Sequence, residues 1–351
     1  MSPRARGITL SIVLAVVLIA GVLLSSIIGQ LSISPSEVLG SLLRAVGINT
    51  SLAPTDPIVE STLWVVRFPR IVMALAVGAA LAVAGAVMQA IFGNPLAEPG
   101  VVGVSSGAAL GAAAAIVLGG NIAILANLGS WGTALFAFVG GLLATLLVYF
   151  MSRANGRTEV VTLLLTGIAI NAFAGAGLAF LLFIGDTASR EQITFWQLGS
   201  LNGSRWQEVA IVIVVAVIGI VIAVLLARRF DLLALGERNA RHLGINVEAL
   251  RIGSIVLVAL LTGVAVAFCG IIAFVGLVVP HIIRMAIGPS HRSLIIASAV
   301  GGGVLLVFAD LLARTLVAGA DLPIGMLTSL IGGPFFFYLL ARQRKRSGGF
   351  A

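Results

Sequence analysis

Apolar runs separated by short polar stretches fill the chain from Ile8 to Ala341, and most are long enough to cross a hydrocarbon core about 30 Å thick as helices. The pattern predicts an all-α, polytopic membrane protein with about ten transmembrane helices, some short or broken. The expected spans are Ile8–Gly29, Pro69–Ile91, Val102–Leu118, Gly132–Met151, Val160–Ile184, Val209–Ala227, Ile252–Gly270, Ile271–Ile287, Leu294–Leu312 and Ile324–Ala341. Arg4 and Arg6 before the first run resemble the start of a secretory leader. The run is longer than the usual leader core and lacks an A-x-A site, so it is read as a span. Gln30–Phe68 is polar and belongs outside, with one short helix opened by the pair Ser34-Pro35. Asn121–Trp131 turns outside as well, and Ile193–Leu201 forms an amphipathic patch with Phe195, Trp196 and Trp206 suited to an interface or a half-helix.

One stretch does not fit a plain span. Ala82–Ala108 carries Gln89, Asn94, Pro95, Glu98 and Pro99 within an otherwise apolar sequence. Facing lipid, such a segment would leave backbone amides and carbonyls unpaired, so it must be buried in protein or line a wet cavity. Broken, Gly-rich backbone at membrane depth is where transporters keep their pathway, which makes a solute route the first hypothesis. On the fifth span, Thr162 and Thr166 share one helix face, where they bond back to the backbone or face water.

Composition supports the membrane reading: 60% of the 351 residues are hydrophobic, 10% are charged, and the mean hydropathy is +1.16. The net charge of +8 would suit nucleic acid until the charges are placed. With both termini in the cytoplasm, the inner segments carry fifteen of the 21 basic residues and five of the 13 acidic ones, as the positive-inside rule requires. Arg67, Arg70 and Arg314 are exceptions at the outer ends of spans, suited either to carboxylates on a docking protein or to lipid headgroups. The longest inner loop, 228–251, mixes Arg238, Arg241 and Glu237 with Leu235, Ala240 and Leu243, and two short helices hinged at Gly236 and Gly244 fit that mixture. Its apolar residues argue for docking on a partner. The lone Cys269 reads as a small buried hydrophobe.

Missing features narrow the function. No span carries a charge near its centre, so a proton or sodium relay has no obvious carrier. There is no phosphate-binding G-x-x-x-x-G-K-[ST] motif, and the single lysine is Lys345 in the tail. Paired-carboxylate and H-E-x-x-H sites are absent too, so the chain is not expected to be an enzyme. Active transport would draw its energy from a partner. A passive pore and a membrane scaffold are the competing classes.

Several motifs in order resemble the permease subunits of type II ABC importers for iron-siderophores, haem and vitamin B12. They are R-F-P-R at Arg67–Arg70, G-N-P-L-A-E-P-G at Gly93–Gly100, L-A-L-G-E-R-N-A-R-H-L-G at Leu233–Gly244, G-I-I-A-F-V-G-L-V-V-P-H-I-I-R at Gly270–Arg284, and L-P-I-G with G-G-P between Leu322 and Pro334. The resemblance implies one transmembrane permease domain over 1–351, forming a homodimer or a heterodimer with a sister permease in the bacterial inner membrane. Two cytoplasmic ABC ATPase subunits would use the ATP and magnesium, an external binding protein would deliver substrate, and the chain itself would hold no cofactor or metal and no nucleic acid. By the same resemblance Arg67, Arg70 and Arg314 receive binding-protein carboxylates. Leu235, Gly236, Glu237, Arg238, Ala240, Arg241, Leu243 and Gly244 couple to the ATPase, and Gln89, Asn94, Pro95, Leu96, Thr162 and Thr166 line or gate the pathway. Ile193–Leu201, Asp310–Leu316 and Gly332–Phe337 are most similar to haem permeases, with ferric siderophore next and cobalamin third.

Overall fold

A computed structural model describes residues 3–119, 128–154, 157–317 and 319–346. The first helix, α1 (Pro3–Ile27), is followed by α2 (Pro35–Ala45). The latter starts as its sequence predicts: Ser34 Oγ accepts from the Glu37 amide while the Glu37 carboxylate accepts from the Ser34 amide, a reciprocal cap that satisfies two otherwise orphaned donors. A simpler one-way cap opens a second helix at Asp56-Pro57, which the expected single helix of the outer segment does not include. Asp56 accepts from the Ile58 amide at 2.8 Å and opens α3 (Pro57–Ser61), which runs through a π-helical turn at Thr62–Arg67 into α4 (Phe68–Phe92). The second span is therefore one 36-residue helical stretch, and Arg67 lies inside it rather than closing a loop.

Beyond Gly93, whose left-handed backbone (φ +58°) ends α4, the chain crosses without helix to a 3₁₀ turn at Pro99–Val102 and then α5 (Val104–Gly119). Next come α6 (Ser130–Met151), a two-residue antiparallel pairing of Arg153–Ala154 with Arg157–Thr158, α7 (Val160–Ile184) and α8 (Thr187–Leu198). Most of the expected turn at Asn121–Trp131 lies outside the described residues. Then follow α9 (Trp206–Leu233), α10 (Glu237–His242), α11 (Val247–Cys269), α12 (Val275–Ile287), α13 (His291–Ala313) and α14 (Ile324–Arg346). Where two hinged helices were expected in 228–251, one six-residue helix stands between Gly236 and Gly244. The first half of the loop instead prolongs α9, because Phe230 and Leu233 have core to bury against.

Among the described residues seven helices are long and apolar enough to cross a membrane, and three shorter apolar helices, Val104–Gly119, Val275–Ile287 and Ile324–Leu339, complete the ten expected segments. At 1.5 Å per residue the 13-residue α12 spans only about 20 Å, too short to cross a bilayer core alone. Its shortness follows from the non-helical Gly270–Phe274 before it.

The bundle is arranged around α4, which is buried along almost its whole length against α9, α11, α12 and α13. Two glycines permit this. A Cβ at Gly85 would overlap the carbonyl of Gly276 on α12, and one at Gly78 would overlap the carbonyl of Gly302 on α13. Without a hydrophobic drive between helices in lipid, such backbone approach is what holds them together. A second group, α5, α6 and α7, packs alongside, with α11 touching both α5 and α6. Gly85→Ala should cost about 1–3 kcal/mol by overpacking. It is expected to lower the thermal midpoint of the purified protein in detergent, whereas Gly175→Ala, on open space, should leave it unchanged.

Candidate functional site

Three places on the bundle carry the polar residues that the sequence singled out. At one end, Arg67, Arg70 and Arg314 do come together, but they are not a free rim. Arg70 Nε donates to Asp310 Oδ1 at 2.8 Å and its Nη1 to Asp321 Oδ2 at 2.8 Å. Arg314 reaches the same Asp310 at 3.7 Å and donates to the Ser25 carbonyl at 2.6 Å and to the Ser25 hydroxyl. Arg67 donates to the carbonyls of Ser26, Ile27 (2.9 Å) and Leu31, closing off the end of α1. The side chains of Arg70 and Arg314 are each 8% exposed and that of Asp310 2%. Each of the three guanidiniums that the resemblance assigned to incoming carboxylates already has internal partners, as a buried charge requires. Arg44, Arg190 and Arg205 are the exposed arginines of that end.

Aromatic rings brace the same end. Trp64 Nε1 donates to Ser41 Oγ at 2.9 Å, Trp206 Nε1 donates to the Trp64 carbonyl at 2.8 Å, and Trp64 meets Phe68 edge to face.

The opposite end holds the broken segment and α10. Asn94 is exposed, its Oδ1 accepting from the Leu96 amide at 2.9 Å in a tight side-chain turn, with Pro95 and Leu96 half-buried. Gln89 is buried and donates to the carbonyls of Gly276 and Leu277 at 3.3 Å, stapling α4 to α12, while its Oε1 accepts from Arg284 Nη2 at 3.3 Å. Gln89, Gly93 and Pro95 share a cavity of about 350 Å³ with Gly236, Glu237, Arg251 and Arg284. The broken segment and the start of α10 thus meet across one space. In and beside α10, Ala240 is buried while Leu235, Glu237, Arg238, Arg241, Leu243 and Gly244 are exposed. Glu237 binds Arg251 at 2.6 Å and Arg241 at 3.2 Å, fixing α10 to α11.

The third place is a cavity of about 300 Å³ between α5, α7 and α8, lined by Ser105, Ser106, Asn171 and Gln197 with Ala and Gly around them. Ser106 donates to Asn171 Oδ1, and Asn171 Nδ2 reaches the Gly100 carbonyl at 3.5 Å. Sequence reading did not select Ser105, Ser106 or Gln197; the V-S-S-G run that follows the break was the available signal. Thr162 and Thr166 are half-buried near the start of α7, where the Thr162 hydroxyl donates to Glu159 at 3.0 Å. On the far side of the break, Glu98 Oε1 accepts from the Phe274 amide at 3.2 Å at the start of α12, where a carboxylate complements the helix dipole. Phe274 is the one non-glycine residue with a left-handed backbone among the described residues, at φ +66°.

Tightly packed spans, broken backbone at one end and an uncharged cavity between helices define a polytopic transport permease. The chain belongs to the FecCD transport family, whose model matches residues 17–342. It is 43% identical over 288 residues to the hemin transport system permease protein HmuU of Yersinia pestis, covering 82% of this chain and 85% of the relative. It is 37% identical over 335 residues to the vitamin B12 import system permease protein BtuC of Vibrio vulnificus, covering 95% and 94%. Its fold matches a solved structure described as an inward-facing conformation of a metal-chelate type ABC transporter, with a TM-score of 0.80, 32% identity and coverage of 94% and 97%. The chain is thus a permease subunit of the ABC importer class.

Because Asp310 serves both Arg70 and Arg314, Asp310→Ala should strand two buried cations and cost about 3–5 kcal/mol. Differential scanning fluorimetry in detergent should show a large fall in the unfolding midpoint, and Asp310→Ala with Arg70→Met together should recover part of it.

Proposed function

We propose that this chain is the permease of an ATP-driven importer that carries an iron-containing chelate, haem first, across the bacterial cytoplasmic membrane. The observation that carries the reading is the uncharged wall of the cavity at Ser105, Ser106, Asn171 and Gln197, beside an α7 that the rest of the chain leaves largely uncovered. On α7, Ile168, Phe173, Phe180 and Phe183 are all more than 60% exposed, a face apolar enough to meet lipid or a second permease copy. Amide and hydroxyl groups beside small and aromatic residues let a large planar chelate pass without fixing it. Among the histidines, His242 is exposed on α10 and His291 spends Nδ1 on Asp231 at 2.7 Å, so neither is offered to a passing iron. The likeness to a hemin permease supports haem over ferric siderophore, and the comparable likeness to vitamin B12 permeases keeps cobalamin as the third reading.

In this reading both termini face the cytoplasm, a dimer encloses the pathway, and α10 seats on an ABC ATPase that uses ATP and magnesium. ATP binding and hydrolysis move α10, the shared cavity at Gly93–Pro95 changes shape, and Asn94 to Leu96 with Thr162 and Thr166 open or close the inner end. An external binding protein delivers cargo at the arginine end. Its carboxylates meet Arg44, Arg190 or Arg205 directly, or reach Arg70 by replacing Asp321, the cluster's half-exposed carboxylate. Exchanging one carboxylate for another on Arg70 avoids burying a further unpaired charge.

The permease and its ATPase reconstituted in lipid should show ATPase stimulation by the haem-loaded binding protein from the same gene neighbourhood. Stimulation only by ferric siderophore or by cobalamin would reassign the cargo while leaving the importer architecture standing.

A further inference from the structure

We propose that the furrow between α9 and α11, at the end of the bundle that carries Arg228 and Arg229, is a binding site for an anionic phospholipid. A cavity of about 440 Å³ opens there, walled by Leu226, Ile245 and Leu250, with Arg229 at its mouth and Gly253 in its floor. No aspartate or glutamate lines it. Arg229 is exposed and has no ion-pair or hydrogen-bond partner among the described residues, whereas Arg241 and Arg251 nearby are both held by Glu237. One uncompensated guanidinium over apolar walls has the polarity of a lipid: phosphate at the mouth, acyl chain within.

The furrow continues along the bundle. On α9, Ile218, Ile222, Leu225 and Arg229 follow one another at spacings of four, three and four and are all exposed, so a single apolar stripe ends at the arginine. On α11, Gly253, Val256 and Leu260 run beside it, the latter two also exposed. At Gly253 no heavy atom stands within 4 Å of where a Cβ would be, which is the gap an acyl chain would fill. Asn246, the N-cap of α11, is in the same wall, so a phosphate at the mouth sits at the positive end of that helix. Basic pockets between transmembrane helices on the positive side of a membrane protein are suited to anionic headgroups.

The test is native mass spectrometry of the full-length protein released from detergent, titrated with dioleoylphosphatidylglycerol or with dioleoylphosphatidylcholine. Phosphatidylglycerol is expected to be retained preferentially. Arg229→Gln should lower its affinity about five-fold, the attraction lost with one basic residue, and leave phosphatidylcholine unaffected. Gly253→Leu, which fills the gap, should weaken both lipids, and Arg292→Gln, outside the furrow, should change neither. Equal retention of the two lipids overturns the proposal, as does an Arg292→Gln loss as large as that of Arg229→Gln, or full retention by Gly253→Leu. Inorganic phosphate that displaces the lipid by occupying Arg229 alone, or a dimer lost in Gly253→Leu, would assign the furrow to a free anion or to a second copy of the chain instead.

Discussion

Everything in this bundle is hung on the backbone contacts of α4. Gly78 and Gly85 sit two turns apart, and at each the neighbouring helix presents a glycine in return, Gly302 on α13 and Gly276 on α12. The carbonyls then lie where a methyl group would otherwise be. Helices this close cannot rotate or slide past one another without collision, so α4, α12 and α13 form a rigid unit. Gln89 adds polar bonds to the same contact by donating to Gly276 and Leu277. The special features of the chain are then displaced to the two ends of α4: a π turn and a buried ion cluster at one, and non-helical backbone at the other.

The ion cluster has its own logic. A π turn at Thr62–Arg67 shifts the helix by one residue and aims Arg67 at the carbonyls of Ser26, Ile27 and Leu31 around the end of α1. Arg70 and Arg314 converge on Asp310, so one carboxylate balances two guanidiniums and Asp321 supplies the remainder. This arrangement links the start of α4 with the end of α13 and the segment leading to α14. The charges stabilise the end of the bundle because they are complete as a set; the loss of any one leaves a buried ion.

Which parts of this were legible in the sequence follows from the range of the interactions. The apolar runs, the Ser34 cap and the break at Asn94-Pro95 are local, and a local reading recovers them. Asp56-Pro57 carries the same local signature as Ser34-Pro35, so the early start of the second span was readable from the residues. The pairing of Arg70 with Asp310 was not. The partners are 240 residues apart, and charge placement alone cannot tell a solvated arginine from one buried on a distant carboxylate. Gln89 is similar: an amide in an apolar run suggests a wet pathway, and only the folded chain shows that it lines a cavity and also bonds to α12. Ser106 and Gln197 went unnoticed because neither belongs to a periodic or charged pattern; their cavity exists only where α5, α7 and α8 meet.

The end of the bundle that carries the broken segment shows how the proposed motion fits a rigid centre. Residues 93–103 touch every element that would have to respond. Gly93 and Pro95 share a cavity wall with α10, Glu98 holds the start of α12, and a Cβ at Gly167 of α7 would overlap the Val101 carbonyl. Because this stretch is non-helical, its contacts shift by rotation of a few dihedrals, whereas moving α4 would break the glycine contacts along its length. Phe274 is held in a left-handed conformation that costs about 1–3 kcal/mol, and the amide that Glu98 holds is its own. A displacement of α10 therefore acts most cheaply on the broken segment, and a change in Glu98 is felt next at the strained junction of α11 and α12. In the proposed cycle the rigidity of α4 is what directs motion there.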